Sequence, residues 1–435
     1  MLDPSPADIL ILGGTVLPMN DAMEIIEDGG LAIKGDSILA VGASDSIRAS
    51  FSAPKTIGAS GRLVMPGLIN THTHTPMTIL RGFKDDLALQ AWLDSIWPWE
   101  HEHINPATVR VNSCLAMAEM IHAGITTFND MYFYGTETAR LASEVGMRAL
   151  ISEPYAEGGP YDFNYMVRAT ENMMDEFADD ELIVPTVAPH SMYACTKDQL
   201  IECAELAAHY DCPVHTHLAE TEGETEMVLS AQGVRPVAYA DSLGLLHSRT
   251  ILAHCVQVDD EEIELLRERG VGVSHNPQSN MKLASGAAPV PAMLRAGLDV
   301  GLGTDGAASN NVLDILEEVK AAALLHKVIS GDATAVEAPV AARMATIVGA
   351  RVLGLSDRVG SLEPGKLADI ITLDMDRPHM TPCYNPFSHV VYVARGSDVC
   401  TVIINGRVVM EERELTTIDE AEAVRSVRDL AASID

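Results

Sequence analysis

Two histidines separated by a single residue, His72 and His74, follow an apolar run in the segment LVMPGLINTHTHTPMTILRG. Side chains at positions i and i+2 of a β-strand point to the same face of the strand. We therefore expect both imidazoles to face one way at the carboxyl end of a predicted strand over 68–74, which suits two ligands of one metal ion. A lone His-x-His pair is a weak signal, so the rest of the chain must decide its meaning.

Other residues able to bind a metal recur where further predicted strands end. They are His190, His215, His217, Glu220, His254, His275 and Asp305. Several imidazoles, one carboxylate and one position left for water describe a catalytic divalent-metal site, most simply a Zn²⁺ site. Such a metal lowers the pKa of a bound water to about 7, and Glu220 or Asp305 can then move protons. Spacing alone leaves open which of His215 and His217 is a ligand, and whether His275 only satisfies backbone groups.

The predicted strands alternate with amphipathic helical segments such as KDQLIECAELAAHY and DDEEIELLRERG. The strands are predicted over 68–74, 125–130, 148–154, 183–190, 213–220, 250–255, 270–276 and 300–305. Eight β/α units over about 250 residues are typical of a (β/α)8 TIM barrel, whose catalytic residues follow the carboxyl ends of the strands. A doubly wound sheet also alternates, but eight strands in one series favour barrel closure.

Short β-runs punctuated by glycines occur at both ends of the chain, for example ADILILGGTVLPMN near the start and VCTVIINGRVVMEERE near the end. We predict that both chain ends form one small β-sandwich domain, from residues 1–66 and 365–435, with a helix at the C-terminus. The barrel would then occupy residues 67–364.

Bulk composition limits the classes of function. The 435 residues are 47% hydrophobic, which is enough for a large core. The apolar runs are shorter than the roughly 18–20 residues of a membrane span, and the first residues, MLDPSPADILILGG, lack the basic region of a signal peptide. We expect a cytoplasmic protein with no membrane partner. The 29 basic and 62 acidic residues, net charge −33, disfavour nucleic-acid binding.

Taken with their motifs, these residues resemble the amidohydrolase superfamily over essentially the whole chain. The motifs are PGLINTHTHTPMTILRG, DMYF, APHSMY, HLAET, AHC, SHNPQSN and GTDGAASNN. They are similar to the branch of 5-methylthioadenosine/S-adenosylhomocysteine deaminases and 5'-deoxyadenosine deaminases. The resemblance implies hydrolytic deamination of a small adenine nucleoside, one divalent metal ion per subunit (Zn²⁺, with Fe²⁺ and Mn²⁺ also suited to the ligands) and a homo-oligomer.

The resemblance also implies a role for individual residues. The implied metal ligands are His72, His74, His217, His254 and Asp305, and Asp305 also acts as the base on the water. Glu220 would protonate the purine ring while hydroxide attacks C6, and ammonia would leave. Glu100, in IWPWE, would accept hydrogen bonds from the two ribose hydroxyls. Further substrate contacts are expected from His190, Trp92, Glu153 and His275.

One departure from the family pattern concerns the loop after the third predicted strand. Relatives that act on S-adenosylhomocysteine carry arginines there, whereas this chain has neither Arg nor Lys between Arg148 and Arg168, and Glu153 stands at an expected arginine position. A carboxylate there would repel the carboxylate of that substrate. We therefore predict a preference for 5'-modified adenosines without a carboxylate, such as 5-methylthioadenosine or 5'-deoxyadenosine.

Two other readings stay open. The same scaffold could act on a free base (guanine, 8-oxoguanine or cytosine) or on a triazine, neither of which has a ribose diol for Glu100. A catalytically inactive barrel that serves as a scaffold is the non-enzymatic alternative. Retention of the predicted ligands and of both proton-handling carboxylates, Glu220 and Asp305, argues against the scaffold.

Overall fold

The computed structural model describes residues 4–434, and its centre is a barrel of parallel strands. Eight strands are hydrogen-bonded in sequence order. We number them β1 to β8: Leu68–Thr73, Ile125–Met131, Arg148–Tyr155, Ile183–Pro189, Val214–Leu218, Thr250–His254, Gly272–His275 and Asp299–Leu302. The predicted (β/α)8 barrel is confirmed, and each observed boundary lies within three residues of the predicted strand.

Contacts between the first and last strands bring the two edges of the barrel together. The Asp305 backbone N–H donates to His72 O over 3.0 Å, and the Thr304 N–H donates to Asn70 Oδ1 over 3.0 Å. Asn70 Nδ2 returns a hydrogen bond of 2.8 Å to Thr304 Oγ1. The residues after β8 are therefore fixed directly beside the end of β1, where two of the predicted ligands lie.

Helices cover the outside of the barrel and connect its strands. Those between β1 and β8 are Leu89–His103, Pro106–His122, Gly135–Val145, Phe163–Glu176, Lys197–Tyr210, Glu222–Gln232, Pro236–Ser242, Asp260–Arg269, Pro277–Lys282 and Val290–Ala296, with a 3-10 helix at Thr75–Leu80. After β8 come Ile315–Ser330, Ala338–Met344 and Ile347–Val352. Their starts carry the expected signals: Thr196 and Gln199 form a reciprocal capping box at the start of Lys197–Tyr210.

Both chain ends contribute to a second sheet, as predicted. Its strands are Ile9–Val16, Ile26–Lys34, Ser37–Ala43, Lys55–Gly58, Arg62–Pro66, Ile370–Asp374, Val399–Ile404, Arg407–Glu411 and Glu414–Leu415. The two ends meet where Ile370–Asp374 pairs antiparallel with Arg62–Pro66. Ser5–Pro6 and Phe51–Ser52 form a separate parallel pair. The remaining helices are Ser44–Ser50, Pro386–Tyr392 and Glu420–Ile434, with 3-10 turns at Pro378–Met380 and Gly396–Asp398.

A buried ion pair joins this sheet to the barrel. Arg148, at the start of β3, donates from Nε to Asp369 Oδ2 over 3.1 Å and from Nη2 to Oδ1 over 3.2 Å. Both side chains are 2% exposed. Asp369 also accepts the Asn405 backbone N–H over 2.7 Å. The predicted domain limits at 66/67 and 364/365 stay a prediction. No helix within residues 4–434 is long and apolar enough to cross a membrane.

Candidate active site

Side chains at the carboxyl ends of four barrel strands converge on one point. They come from His72, His74, His217, His254 and Asp305. Ligand atoms of the first three lie within 4.8 Å of one another, as do those of His72, His254 and Asp305. Asp305 Oδ1 lies 3.3 Å from His72 Nε2 and 3.2 Å from His74 Nε2. The structure therefore brings together all five residues predicted to be ligands.

The donor set fits a divalent metal. His72 Nε2 is buried, faces this cluster and accepts no hydrogen bond from any described residue. Burial lowers the pKa of His217 well below its usual range and that of His254 to about 3, so both rings are neutral. A neutral imidazole offers its nitrogen lone pair to a metal. Four imidazoles and one carboxylate are the ligand types that zinc and similar divalent ions prefer.

Asp305 is held as a carboxylate. Ser279 Oγ and Ser309 Oγ donate to Oδ2 over 2.6 and 2.9 Å. Burial alone would raise the pKa of Asp305, but the neighbouring imidazoles of His72 and His74 outweigh burial and hold the pKa well below its usual range. The backbone of Asp305 is left-handed, with φ 60°, a conformation that costs energy outside glycine and that clusters at functional sites.

Partners on the far side of three imidazoles orient the rings. His72 Nδ1 lies 2.9 Å from His215 Nε2, and His217 Nδ1 donates to His190 O over 2.8 Å. His74 Nδ1 donates to Met131 O. These contacts answer a question that spacing left open. His217 faces the cluster, whereas His215, on the same face of β5 but deeper in the barrel, supports His72.

Glu220 lies beside the cluster in a dry environment. Its Oε2 is 3.7 Å from His254 Nε2, and Ser285 Oγ donates to its Oε1 over 3.2 Å. Burial, with the negative charges of Asp305 and Glu224, raises the pKa of Glu220 well above its usual range. Glu224 also fixes the turn, because its carboxylate accepts the backbone N–H of Glu220 over 2.7 Å. A carboxyl group that is protonated near neutral pH can serve as a general acid.

A cavity with about 590 Å³ of empty space opens onto these groups. His190 and Trp92, both predicted to contact the substrate, line this cavity together with Glu100 and Glu220. Glu100 is 2% exposed and accepts a hydrogen bond from the Tyr132 hydroxyl. Burial raises the pKa of Glu100 to about 7. On its own, the sequence suggested a solvated helix residue at this position.

Most of the remaining wall of the cavity is apolar, although Tyr132 and Tyr193 also line it. The apolar residues include Met77, Leu89, Leu93, Trp97, Phe133 and Leu283. No arginine or lysine lies among the lining residues that the structure describes. The cavity therefore combines a metal-binding end, a buried carboxylate and an apolar surface without a fixed cation.

Two predicted substrate contacts do not reach this cavity. Glu153 points to the outside of β3, where Thr136 donates to Oε1 from its N–H and its hydroxyl over 3.0 and 2.8 Å. The Tyr161 hydroxyl donates to Glu153 Oε2 over 3.2 Å. His275 also points outward, and its Nε2 lies 3.1 Å from His326 Nε2 on helix Ile315–Ser330. Neither position supports the predicted contact, nor a repulsion of the substrate by Glu153.

Sequence reasoning missed several residues that support the site. Tyr132 lies in DMYF, and Asn276, Ser279 and Asn280 lie in SHNPQSN, a motif in which only His275 was predicted to contact the substrate. The buried asparagines contact His254 Nδ1 through their side chains, at 3.3 Å for Asn276 and 2.9 Å for Asn280. The available signal was the run of short polar residues directly after a barrel strand, where such residues commonly serve the site.

A parallel barrel whose strands end in four histidines and an aspartate around one point defines a metal-dependent hydrolase of the TIM-barrel class. Residues 63–409 match the model of the amidohydrolase family, and this chain belongs to that family.

Individual relatives are similar over nearly the whole chain. A 5-methylthioadenosine/S-adenosylhomocysteine deaminase of Syntrophus aciditrophicus is 45% identical, with 98% of this chain and 97% of the relative covered. A 5'-deoxyadenosine deaminase of Methanothermobacter thermautotrophicus is 43% identical, with 98% of each chain covered. The solved structure of an adenosine deaminase from Xanthomonas campestris with bound zinc is 38% identical, has a TM-score of 0.96 and covers 99% of each chain.

Proposed function

We propose that this protein is a metal-dependent aminohydrolase that deaminates adenine nucleosides modified at the 5' position. The single observation that carries the proposal is the placement of the buried carboxylate Glu100 in the same cavity as the histidine–aspartate cluster and Glu220. A carboxylate has two acceptor oxygens and so suits a ribose diol, which free bases and triazines lack. Relatives named for deamination of such nucleosides support the same conclusion.

The roles of the residues follow from their positions. His72, His74, His217, His254 and Asp305 would hold one divalent metal, most simply Zn²⁺, with Fe²⁺ and Mn²⁺ also suited to these ligands. When bound, the metal supplies a water of lowered pKa as the nucleophile. Asp305, held by two serine hydroxyls, accepts a proton from that water.

Glu220 delivers a proton to the substrate. Its raised pKa keeps the carboxyl group protonated, so that it protonates a ring nitrogen as water adds to C6 of the purine. Asp305 then passes the proton it took from the water to the amino group, the C6–amino bond breaks and ammonia leaves; the C6 hydroxyl returns a proton to Glu220, and an inosine-type product remains. His190 and Trp92 contact the substrate from the wall of the cavity.

The preference for a 5' substituent follows from the apolar wall of the cavity and from the absence of Arg and Lys among its described lining residues. An apolar wall suits a methylthio or methyl group, whose transfer from water is favourable. A carboxylate or phosphate would lose hydration without gaining a cationic partner, because no Arg or Lys lines the described cavity. We therefore rank 5-methylthioadenosine and 5'-deoxyadenosine above S-adenosylhomocysteine. The reason differs from the sequence prediction, since Glu153 lies outside the cavity.

The Glu100→Gln variant tests this proposal. Glutamine keeps the size of the side chain but offers only one acceptor oxygen, so KM for 5-methylthioadenosine should rise at least about tenfold while kcat changes less. The exposed residue Glu102 on the same helix provides the matched control, Glu102→Gln. An unchanged KM in Glu100→Gln would contradict diol recognition and would favour a free base or a triazine as substrate. Purified protein without bound metal and without turnover would instead favour the inactive scaffold.

The cytoplasmic location, the homo-oligomeric state and the absence of nucleic-acid and membrane partners remain predictions. The net charge of −33 supports the predicted absence of nucleic-acid partners.

A further inference from the structure

A single hydrogen bond ties the buried carboxylate Glu100 to the barrel. Glu100 lies on helix Leu89–His103, which forms one wall of the cavity. The Tyr132 hydroxyl donates to Glu100 Oε1 over 2.5 Å. In the part of the chain that the structure describes, no other side chain of this helix forms a hydrogen bond to a residue outside it. The position of the Glu100 carboxylate relative to the barrel therefore depends on Tyr132.

Tyr132 is itself fixed at the metal-binding end of the barrel. It follows strand β2 directly and is 2% exposed. The preceding residue, Met131, accepts the Nδ1–H of His74 at its backbone carbonyl. One residue earlier, Asp130 Oδ1 accepts the backbone N–H of Thr75 over 2.6 Å. One short segment therefore orients a predicted metal ligand and also holds the carboxylate that we propose binds the ribose.

The contact occupies one carboxylate oxygen and leaves the other free. Burial and the negative charge of Glu100 raise the pKa of Tyr132 well above its usual range, so the hydroxyl keeps its proton and donates. No residue within 4–434 donates to Glu100 Oε2. The last torsion of a glutamate side chain has only broad preferences, so an unheld carboxylate can rotate. With Oε1 held by Tyr132, the carboxylate is fixed while Oε2 stays available to a ligand.

We propose that Tyr132 is a positioning residue for substrate recognition: its hydroxyl fixes the rotation of the Glu100 carboxylate so that the free oxygen faces the ribose hydroxyls of a bound nucleoside. The ribose is thereby held at a set distance from the metal-binding cluster, where C6 of the purine must lie. The inference rests on the proposed function, through the assignment of Glu100 as the acceptor for the ribose diol.

The Tyr132→Phe variant removes the hydroxyl and keeps the ring, and it is tested on the zinc-loaded full-length enzyme with 5-methylthioadenosine. KM should rise about three- to tenfold, because a hydrogen bond to a charged group is lost, while kcat stays within about twofold of the wild type. Tyr239→Phe is the matched control, because Tyr239 is 5% exposed, lies on helix Pro236–Ser242 and is not among the residues that line the cavity. Tyr239→Phe should leave both constants unchanged.

The same substitution in a Glu100→Ala background distinguishes positioning from an independent contact. With no carboxylate left to position, adding Tyr132→Phe should change KM by less than about twofold. An equal rise in both backgrounds would show that Tyr132 acts without Glu100 and would overturn the proposal. A fall in kcat at unchanged KM in the single variant would place the effect of Tyr132 at the metal-binding end and would overturn it as well.

Glu100→Ala alone separates this proposal from the proposed function. If Glu100→Ala raises KM for 5-methylthioadenosine while Tyr132→Phe does not, only the role of Tyr132 fails. If neither variant changes KM, Glu100 does not bind the ribose, and both the positioning role and the recognition of the diol fail.

Discussion

Proton transfer is concentrated in two buried carboxyl groups with opposite ionisation. Asp305 is held ionised by the histidines around it, whereas burial keeps Glu220 protonated. Two carboxyl groups whose environments move their pKa values apart provide a base and an acid within one site. This separation of the two pKa values depends on the exclusion of water, because Asp305 and Glu220 are each 5% exposed.

The Glu220→Gln variant tests this acid at residue scale. An amide cannot give up a proton to the ring, so kcat should fall by roughly 10²- to 10⁴-fold while the zinc content stays at the wild-type level. The exposed Glu222, two residues further on, gives the control Glu222→Gln, which should retain wild-type kcat. A kcat within a few-fold of wild type in Glu220→Gln would assign proton donation to another group.

Substrate affinity should depend on pH through Glu100. Burial raises the pKa of this carboxyl group to about 7, so it is protonated below that pH and then offers fewer acceptor sites to the ribose hydroxyls. KM for 5-methylthioadenosine should therefore rise about tenfold from pH 8 to pH 6. The same titration on Glu100→Gln should be flat over this range; a parallel rise in that variant would place the titrating group elsewhere.

At the scale of elements, the barrel strands were predictable but their inward faces were not. Residues in strand β3 are buried on both faces, so the sequence shows no alternation of polar and apolar residues to mark the inside. Pro154 lines the cavity, and Glu153 consequently faces outward. In β7 the inward residue is Ser274, which contacts Thr71 across the barrel, so that His275 faces a helix.

The sequence also did not show how deep in the barrel each residue of a strand lies. His215 and His217 share one face, as the period of two predicts, but only position in the closed barrel separates the ligand from its support. Spacing and position at strand ends already indicated the five ligands and Glu220 as candidates, but the family resemblance assigned their individual roles. Asn280 and Tyr132 could not be predicted in this way, because their roles depend on contacts between segments far apart in sequence.

Close packing at the end of β8 predicts a sensitive position. A Cβ added at Gly303 would lie 2.3 Å from Asn276 Oδ1 and 2.9 Å from the His72 backbone nitrogen. Gly303→Ala should therefore destabilise the fold by about 1–3 kcal/mol and lower kcat by displacing Asp305. Gly58→Ala, where nothing lies within 4 Å, is the control for thermal unfolding. Equal melting temperatures for the two variants would contradict this packing.

At the scale of the whole molecule, the Arg148–Asp369 pair couples the barrel to the sheet formed by the chain ends. Either Arg148→Met or Asp369→Asn leaves one buried group without its partner, so each should lower the free energy of unfolding by about 3–5 kcal/mol. The double variant should cost less than the sum of the two, as measured by urea denaturation. Additive losses would mean that the two groups do not interact.

The proposed deamination can be measured directly by ultraviolet absorbance, which follows the conversion of adenine to hypoxanthine. The zinc-loaded enzyme would be given 5-methylthioadenosine, 5'-deoxyadenosine, adenosine and S-adenosylhomocysteine, with guanine and cytosine as free-base controls. We expect turnover of nucleosides only, with kcat/KM highest for 5-methylthioadenosine or 5'-deoxyadenosine and lower for S-adenosylhomocysteine. Turnover of a free base with no activity on any nucleoside would contradict the assignment of Glu100 and, with it, the proposed function.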